Sequence, residues 1–247
     1  MPGGAVDRIE YALMDAAEAG MWWYRALHAR VMEALDAAPP GPLLDAGCGT
    51  GGLLARLRAE QPGRPALGLD FDPPAAARAA AKSAHPVAVG SVNALPFPEA
   101  RFAAVVSCDV LGHAGVDPGR AMAEMARVLR PGGLLVLNLP AFEWLRSAHD
   151  ARVHNARRFT APAALRLAGT AGLRPLRARY WNSLLLPLMV AHRKLRARAP
   201  DHGSDVAPFS PWLDRTLHAA TVLEQGLARR GLAFPAGGSI LLTAVRP

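Results

Sequence analysis

Leu43-Leu44-Asp45-Ala46-Gly47-Cys48-Gly49-Thr50-Gly51-Gly52 is a short apolar run that ends in a glycine-rich loop, and Leu53-Leu54-Ala55-Arg56-Leu57 continues it at helical spacing. Glycines are needed where the backbone turns tightly and a ligand must reach the main chain. Strand, glycine loop and helix in this order predict a nucleotide-type binding turn at the carboxyl end of a first strand. Two acids mark it. Asp45 stands two residues before the first glycine, and Asp70 ends the next apolar run, Ala66-Leu67-Gly68-Leu69-Asp70.

Outward from this turn the chain alternates. Strand 43–46 leads to helix 51–60, strand 66–70 to helix 74–84 behind the start signal Asp72-Pro73-Pro74, and strand 86–90 to a loop over 91–101. Strand 102–107 leads to helix 117–130, Pro131-Gly132-Gly133 turns the chain, and strand 134–139 follows. Strands separated by single helices mean βαβ units and a parallel sheet, with every strand's carboxyl end on one edge. Before the turn, residues 5–37 predict two helices broken near Gly20, the second carrying Met21-Trp22-Trp23-Tyr24, and Pro39-Pro40-Gly41-Pro42 ends them. After residue 140 come a short helix and loop to Phe159, a helix over 160–171, a strand near 173–180, a mobile loop over 200–210, a helix near 211–230 and a last strand over 239–245. Residues 1–40 therefore read as a helical cap and 41–247 as one domain, with 141–235 as the elaboration facing an acceptor.

Composition narrows the class. A chain of 247 residues with 51% hydrophobic residues can bury a sizeable core. Its 28 Lys+Arg against 20 Asp+Glu leave a formal charge of +8, which suits nucleic acid, anionic lipid or an acidic substrate. Arginine in an Ala- and Pro-heavy chain is equally a matter of composition. Cys48 and Cys108 make neither a CxxC nor a metal spacing, so no metal and no disulfide framework is expected. The first residues do not read as a signal peptide, and no window of about 18 uncharged apolar residues occurs. A cytoplasmic location is the resulting expectation. Nothing in the chain specifies an oligomeric state.

Gly47-x-Gly49-x-x-Gly52 satisfies the dinucleotide fingerprint, but no Tyr-x-x-x-Lys pair accompanies it. A denser match runs through five segments. Asp45-Ala46-Gly47-Cys48-Gly49-Thr50-Gly51, Gly68-Leu69-Asp70-Phe71-Asp72-Pro73, Gly90-Ser91-Val92-Asn93-Ala94-Leu95-Pro96, Phe102-Ala103-Ala104-Val105-Val106-Ser107 and Leu129-Arg130-Pro131-Gly132-Gly133 stand in order over residues 43–140. In these the chain resembles the class I S-adenosylmethionine-dependent methyltransferases. The resemblance implies a Rossmann-like, doubly wound α/β fold. Its sheet would have seven mostly parallel strands with helices on both faces, an N-terminal helical cap and a helical insertion before the last strand. It implies S-adenosylmethionine as cofactor and S-adenosylhomocysteine as product. The backbone from Gly47 through Cys48 and Gly49 to Gly51 would cradle the amino-acid end, with Asp45 helping to orient it. Asp70 would accept both ribose hydroxyls. Phe71 would lie against the adenine, Val92 would supply a backbone contact, and Ser107 would lie at the cofactor edge. Two positions depart from the family pattern: Ser91 stands where Asp is frequent and would bond the adenine amino group through its hydroxyl instead, and Ala103 follows Phe102 where Asp is usual. The Cys48 side chain reads as a small packing group.

Methyl transfer needs proximity and alignment, and a base only where the acceptor keeps its proton at neutral pH. Asp109, His113, His149 and His154 stand near the strand edge, and His113 and His154 are the preferred pair. Trp22, Trp23, Tyr24 and Trp181 would form an aromatic acceptor chamber, and Arg157 or Arg158 would bind an anionic group. The expected acceptor is a medium-sized, partly hydrophobic small molecule, methylated on O, N or C, and not nucleic acid. Residues 184–198, apolar and then basic, read either as a helix on a lipid surface interrupted by Pro187 or as a buried helix with a basic exit. The alternatives are a different reaction of the same cofactor (such as cyclisation of its aminobutyryl chain), a lipid-like acceptor at a membrane surface, and a non-enzymatic cofactor-binding module.

Overall fold

The protein is described here by a computed structural model covering residues 15–18, 20–147, 150, 154–196 and 209–247, of which 192–196 are described by backbone alone. Its elements are α1 (Trp22–Leu35), β1 (Leu43–Ala46), α2 (Gly52–Glu60), β2 (Ala66–Asp70), α3 (Pro73–Ser83), β3 (Val87–Val89), β4 (Phe102–Cys108), α4 (Pro118–Val128), β5 (Leu129–Pro140), α5 (Ala161–Thr170), β6 (Arg174–Trp181), α6 (Leu186–Arg196), α7 (Pro211–Arg229) and β7 (Ser239–Val245). The strands form one sheet in the order β3-β2-β1-β4-β5-β7-β6. All pairs from β3 to β5 are parallel, and β7 runs antiparallel to both β5 and β6. The doubly wound, mostly parallel seven-stranded sheet expected from the motifs is the observed one.

Both faces of the sheet are buried, and the alternation of each strand shows it. Leu44, Val105, Leu135 and Leu137 pack with Met122 and Met125 of α4 and Ala164 and Ala168 of α5. Their neighbours Leu43, Ala104, Val106, Leu134 and Val136 pack with Leu27, Val31 and Leu35 of α1 and Leu54 and Leu57 of α2. A parallel sheet covered on both sides reads as continuous apolar strands, as these do. The second expected N-terminal helix, α1, is thus a layer of the core, with Val31 and Leu35 at 0% and 1% exposure. The first expected helix lies largely outside the described residues, and 15–18 is its described turn.

Helix starts follow their caps. Asp72 accepts from Ala75 N, Asp117 from Gly119 N and Arg120 N, and Thr160 from Ala163 N. Two expectations shift. Helix 117–130 ends at Val128 and β5 begins at Leu129, because the residue before Pro131 is pushed out of the helical region. Pro187 does not interrupt a helix. It occupies the first turn of α6, where its missing N–H costs nothing. Most of the loop expected over 200–210 lies outside the described residues. No helix among the described residues is long and apolar enough to cross a membrane.

The segment after β5 is held by a buried ion pair. Arg158 reaches Asp150 through Nε and Nη2 at 2.8–3.0 Å and donates through Nη1 to the Ala141 carbonyl at 2.9 Å. The side chains are 5% and 2% exposed. Burial pushes the Asp150 carboxyl up, but the Arg158 charge and the donors of Arg158, Ser147 and Asn155 outweigh it, so it sits below its ordinary value. Its folded pKa being depressed, the pair stabilises the fold above the unfolded carboxylate value and is lost as pH falls through the folded one. Removing one member of such a pair leaves the other buried and uncompensated. Asp150→Ala is expected to cost about 3–5 kcal/mol, read as a lowered urea midpoint at neutral pH. At Gly51, where φ is +88°, an added Cβ would lie 2.6 Å from Ala79 Cα. Gly51→Ala is expected to lose at least about 1–3 kcal/mol, because backbone on the facing helix cannot yield as a side chain would.

Candidate functional site

The glycine loop turns between β1 and α2 with Gly47, Gly49 and Gly51 at φ of 87°, 54° and 88°. It is closely packed. A Cβ on Gly47 would lie 2.3 Å from Val110 Cγ2, so only hydrogen fits where the loop passes the end of β4. Asp70 at the end of β2 accepts from Gly49 N at 2.8 Å and from Asp72 N at 3.0 Å. A carboxylate has about four acceptor sites, so two remain for ligand donors. Phe71, next along, is 67% exposed at the sheet edge. The Cys48 thiol is buried, would sit 2.9 Å from a Cβ on Gly68, and is pushed far up by burial and the Asp45 and Asp70 charges. It packs the turn, as expected.

Three carboxyls converge on this loop. Burial, then the charges of Glu18 and Asp70, raise Asp45 to about 8. Burial also raises Asp70 against the pull of the Asp72 and Gly49 N–H donors. Glu18, 9% exposed, comes from the turn before α1 and lies against Gly52, where a Cβ would be 2.8 Å from its Oε2. Lys82 of α3 pairs with Glu18 at 2.9 Å and also with Asp15. Thr50 Oγ1 is buried in the loop without a hydrogen-bond partner among the described residues. A side-chain-free cradle, an orphaned hydroxyl and buried carboxyls raised toward neutrality fit a cationic ligand with an amino-acid end. Glu18 escaped sequence reading, since an acid in a helical stretch carries no sign of what it covers.

The other expected cofactor contacts are placed as follows. Val92 is buried in the core. Ser91 Oγ accepts from Asn93 N at 3.2 Å. Ser107, 1% exposed, donates to the Ala46 carbonyl at 2.6 Å, so its hydroxyl joins β4 to β1 rather than facing a ligand.

On the acceptor side the structure brings together the ends of β4, β5 and β6 with α1. Asn138 Nδ2 donates to Asp109 Oδ2 at 2.8 Å, and Trp181 Nε1 donates to Asn138 Oδ1 at 2.8 Å. Trp23 stacks on Trp181 at 6.0 Å, with Tyr24 edge-on to Trp23 at 5.1 Å. Arg30 lies 4.6 Å over the other ring system, Trp181, and pairs with buried Glu224 at 3.3 Å. Glu224 also accepts from the backbone of Asn182, Ser183 and Leu184 at 2.6–2.9 Å. Trp22 Nε1, Asn182 Oδ1 and Ser183 Oγ are buried here without hydrogen-bond partners among the described residues. Backbone strain is found here and in the segment that follows β5, as well as at Ala84 and Ala100. Asp109, Phe142, His154 and Asn182 take φ of 58°, 54°, 52° and 57°, a region non-glycine residues seldom occupy.

The expected histidines belong to a different constellation. The loop 111–116 and the segment 154–157 clasp each other: Ala114 N donates to the His154 carbonyl at 2.9 Å and Ala156 N to the Gly112 carbonyl at 2.8 Å. His113 is half-buried and His154 exposed. His149 lies outside the described residues. Arg157 donates to the carbonyls of His113 and Val116 at 3.0 and 2.6 Å, and it lines a cleft of about 490 Å³ with Asn93, Gly115 and Asp117. Arg157 therefore belongs to the clasp, Trp23 and Trp181 to the stack, and Trp22 is anchored to α7 by its backbone N–H, which donates to Asp214 Oδ1 at 2.7 Å. Of the residues the sequence did not reveal, Asn138 alone left a signal, as the one polar residue within Leu134–Leu139.

Known proteins resemble this chain chiefly over its glycine-loop half. A methyltransferase-domain family matches residues 44–137. Demethylmenaquinone methyltransferase of Thermus thermophilus is 39% identical over 113 residues, 43% of this chain and 50% of that protein. Probable tRNA methyltransferase 9B of Bos taurus is 35% identical over 117 residues, 46% of this chain and 25% of that protein. The chain spans half or less of the length of these curated relatives. The crystal structure of geranyl diphosphate C-methyltransferase from Streptomyces coelicolor, with Mg2+, geranyl diphosphate and S-adenosylhomocysteine, superposes with a TM-score of 0.59. It is 19% identical and covers 91% of this chain and 78% of that one. Glycine loop, strand order and the family match over residues 44–137 together identify a methyltransferase domain in this chain, in the fold of the solved methyltransferases.

Proposed function

We propose that this protein transfers a methyl group from S-adenosylmethionine to a medium-sized, partly hydrophobic small molecule held between α1 and the ends of β5 and β6. The cofactor, when bound, supplies an electrophilic methyl group and takes back the carbon–sulfur pair on sulfur. The chain's own residues bind and orient it. The glycine loop leaves room for main-chain contact with the amino-acid end, Asp70 offers two acceptor sites, and Phe71 offers a ring face. Asp45 gives a cationic ligand a favourable field, since the burial that raises its carboxyl is offset by such a charge.

The observation that carries the acceptor class is the Trp23–Trp181 stack, pinned by Asn138 at one side and covered by Arg30. It sets rigid aromatic surface beside unpartnered polar atoms, the usual make-up of a small-molecule pocket. The relative named for demethylmenaquinone and the structural neighbour holding geranyl diphosphate support an acceptor with apolar surface. A nucleic-acid acceptor is the competing reading, supported by the charge of +8 and by the relative named a probable tRNA methyltransferase.

Incubation of the full chain with methyl-labelled S-adenosylmethionine separates the readings. The probes are long-chain phenols, amines and carboxylates, and bulk tRNA. Label is expected in a solvent-extractable small molecule. Label in RNA, or cofactor breakdown with no methylated product, overturns the proposal. Trp23→Ala is expected to raise acceptor KM by about 3–10-fold while S-adenosylhomocysteine affinity stays unchanged, because the stack touches only the acceptor side.

A further inference from the structure

Asp109 stands at the carboxyl end of β4, where the residue after it, Val110, packs against Gly47 of the cofactor loop. Its backbone is left-handed at φ 58°, and its N–H is nonetheless paired to the Asn138 carbonyl at 2.9 Å. Its side chain is aimed by a two-step relay. The Trp181 indole can only donate, so Asn138 must present its oxygen to Trp181 and its NH2 group to Asp109. Trp181 is itself held by the Trp23 stack and by Arg30. The carboxyl is thereby fixed between the loop expected to hold the methyl donor and the aromatic chamber expected to hold the acceptor. The preferred histidines lie instead at the clasp between 111–116 and 154–157.

Resting on the function proposed above, we propose that Asp109 takes the proton released by the acceptor's nucleophilic atom during methyl transfer. The acceptor then presents a hydroxyl or an ammonium rather than a carboxylate. In this step the O–H or N–H bond of the acceptor breaks, its proton ends on an Asp109 carboxylate oxygen, and the freed pair makes the new bond to the methyl carbon as the methyl–sulfur bond breaks and leaves its pair on the thioether sulfur. A carboxylate acceptor has no such proton and would make the base superfluous. Asn138 and Trp181 act as positioning residues for Asp109.

The surroundings suit this work. Burial raises the Asp109 carboxyl to about 7, against the pull of the Asn138 hydrogen bond and the Arg158 charge and with a further push from Asp150. The adjoining Cys108 thiol is pushed well up by burial and by the Asp45 and Asp109 charges, so it stays neutral. Facing Asp109 are therefore Asn138 from β5, and Asp150 and Arg158 from the segment after it. The base form is gained as pH rises through about 7, so turnover is expected to climb over that interval.

Two measurements on the full chain test this. The first is 13C titration of the Asp109 carboxyl in the S-adenosylhomocysteine complex, assigned with Asp109→Asn. A midpoint near 7 that moves upward in Asn138→Leu is expected; a midpoint in the ordinary carboxylate range, about 4, overturns the proposal whatever the acceptor. The second is methyl transfer to a 4-alkylphenol and to the matching 4-alkylbenzoate. Phenol turnover should fall about 10²–10⁴-fold in Asp109→Asn, with S-adenosylhomocysteine affinity held within about three-fold. Preference for the benzoate, or phenol turnover in Asp109→Asn with an unchanged pH profile, overturns it. Failure of S-adenosylhomocysteine to bind wild-type protein would instead sink the methyltransferase reading itself.

Discussion

Because helices cover both faces of a parallel sheet, its strands can carry almost nothing polar except at their ends. Leu43 and Leu44, Val105 and Val106, and Leu134 to Leu137 point alternately into two separate cores, each nearly closed to water. A buried polar group must find a partner or be expelled. The polar exceptions therefore collect at the carboxyl edge: Asp45, Asp70, Asp109 and Asn138 each stand at or near a strand's end. The site is where it is because the sheet leaves no other place for charge.

That edge divides into two halves of different character. Around the glycine loop the excess is negative. Asp45, Asp70 and Glu18 face each other with Lys82 as the paired cation, and burial raises two of these carboxyls. Around β5 and β6 the groups are aromatic and amide, arranged so that each donor has one geometry: Trp181 to Asn138, Asn138 to Asp109. Arg30 and Glu224 tie α1 to this second half, since Arg30 belongs to α1 in the core while Glu224 holds the backbone after β6. A buried pair of this kind gives limited net stability but fixes geometry when all its hydrogen-bonding capacity is used.

The order of elements over residues 43–140 was legible from periodicity and turn chemistry, down to the proline start signal of α3. The misplaced boundary at Val128 arose because helical periodicity in the preceding run outweighed the constraint that Pro131 imposes on Arg130. Within the site, the glycines and Asp70 were legible because their chemistry is written in adjacent residues. Trp23 and Trp181 were both named as acceptor residues, but 158 positions separate them, and only the packing of α1 on the sheet makes them a stack. Arg158 looked like an anion ligand, and Asp150, its buried partner, gave no sign of that role.

The sequence by itself determined the sheet's parallel half, the turn that faces a nucleotide-like ligand and the side of the sheet on which that ligand lies. These follow from local rules: period-two burial, helix caps, and glycine's access to positive φ. Tertiary structure alone decided the strand order β5-β7-β6, the integration of α1 into the core and the aim of Asp109. Each of those depends on hydrogen bonds and contacts between residues far apart in the chain. Asp109 and Asn138 are separated by 29 positions and Asn138 and Trp181 by 43. No local pattern encodes such pairings, because the free energy that selects them is released only when the whole sheet closes.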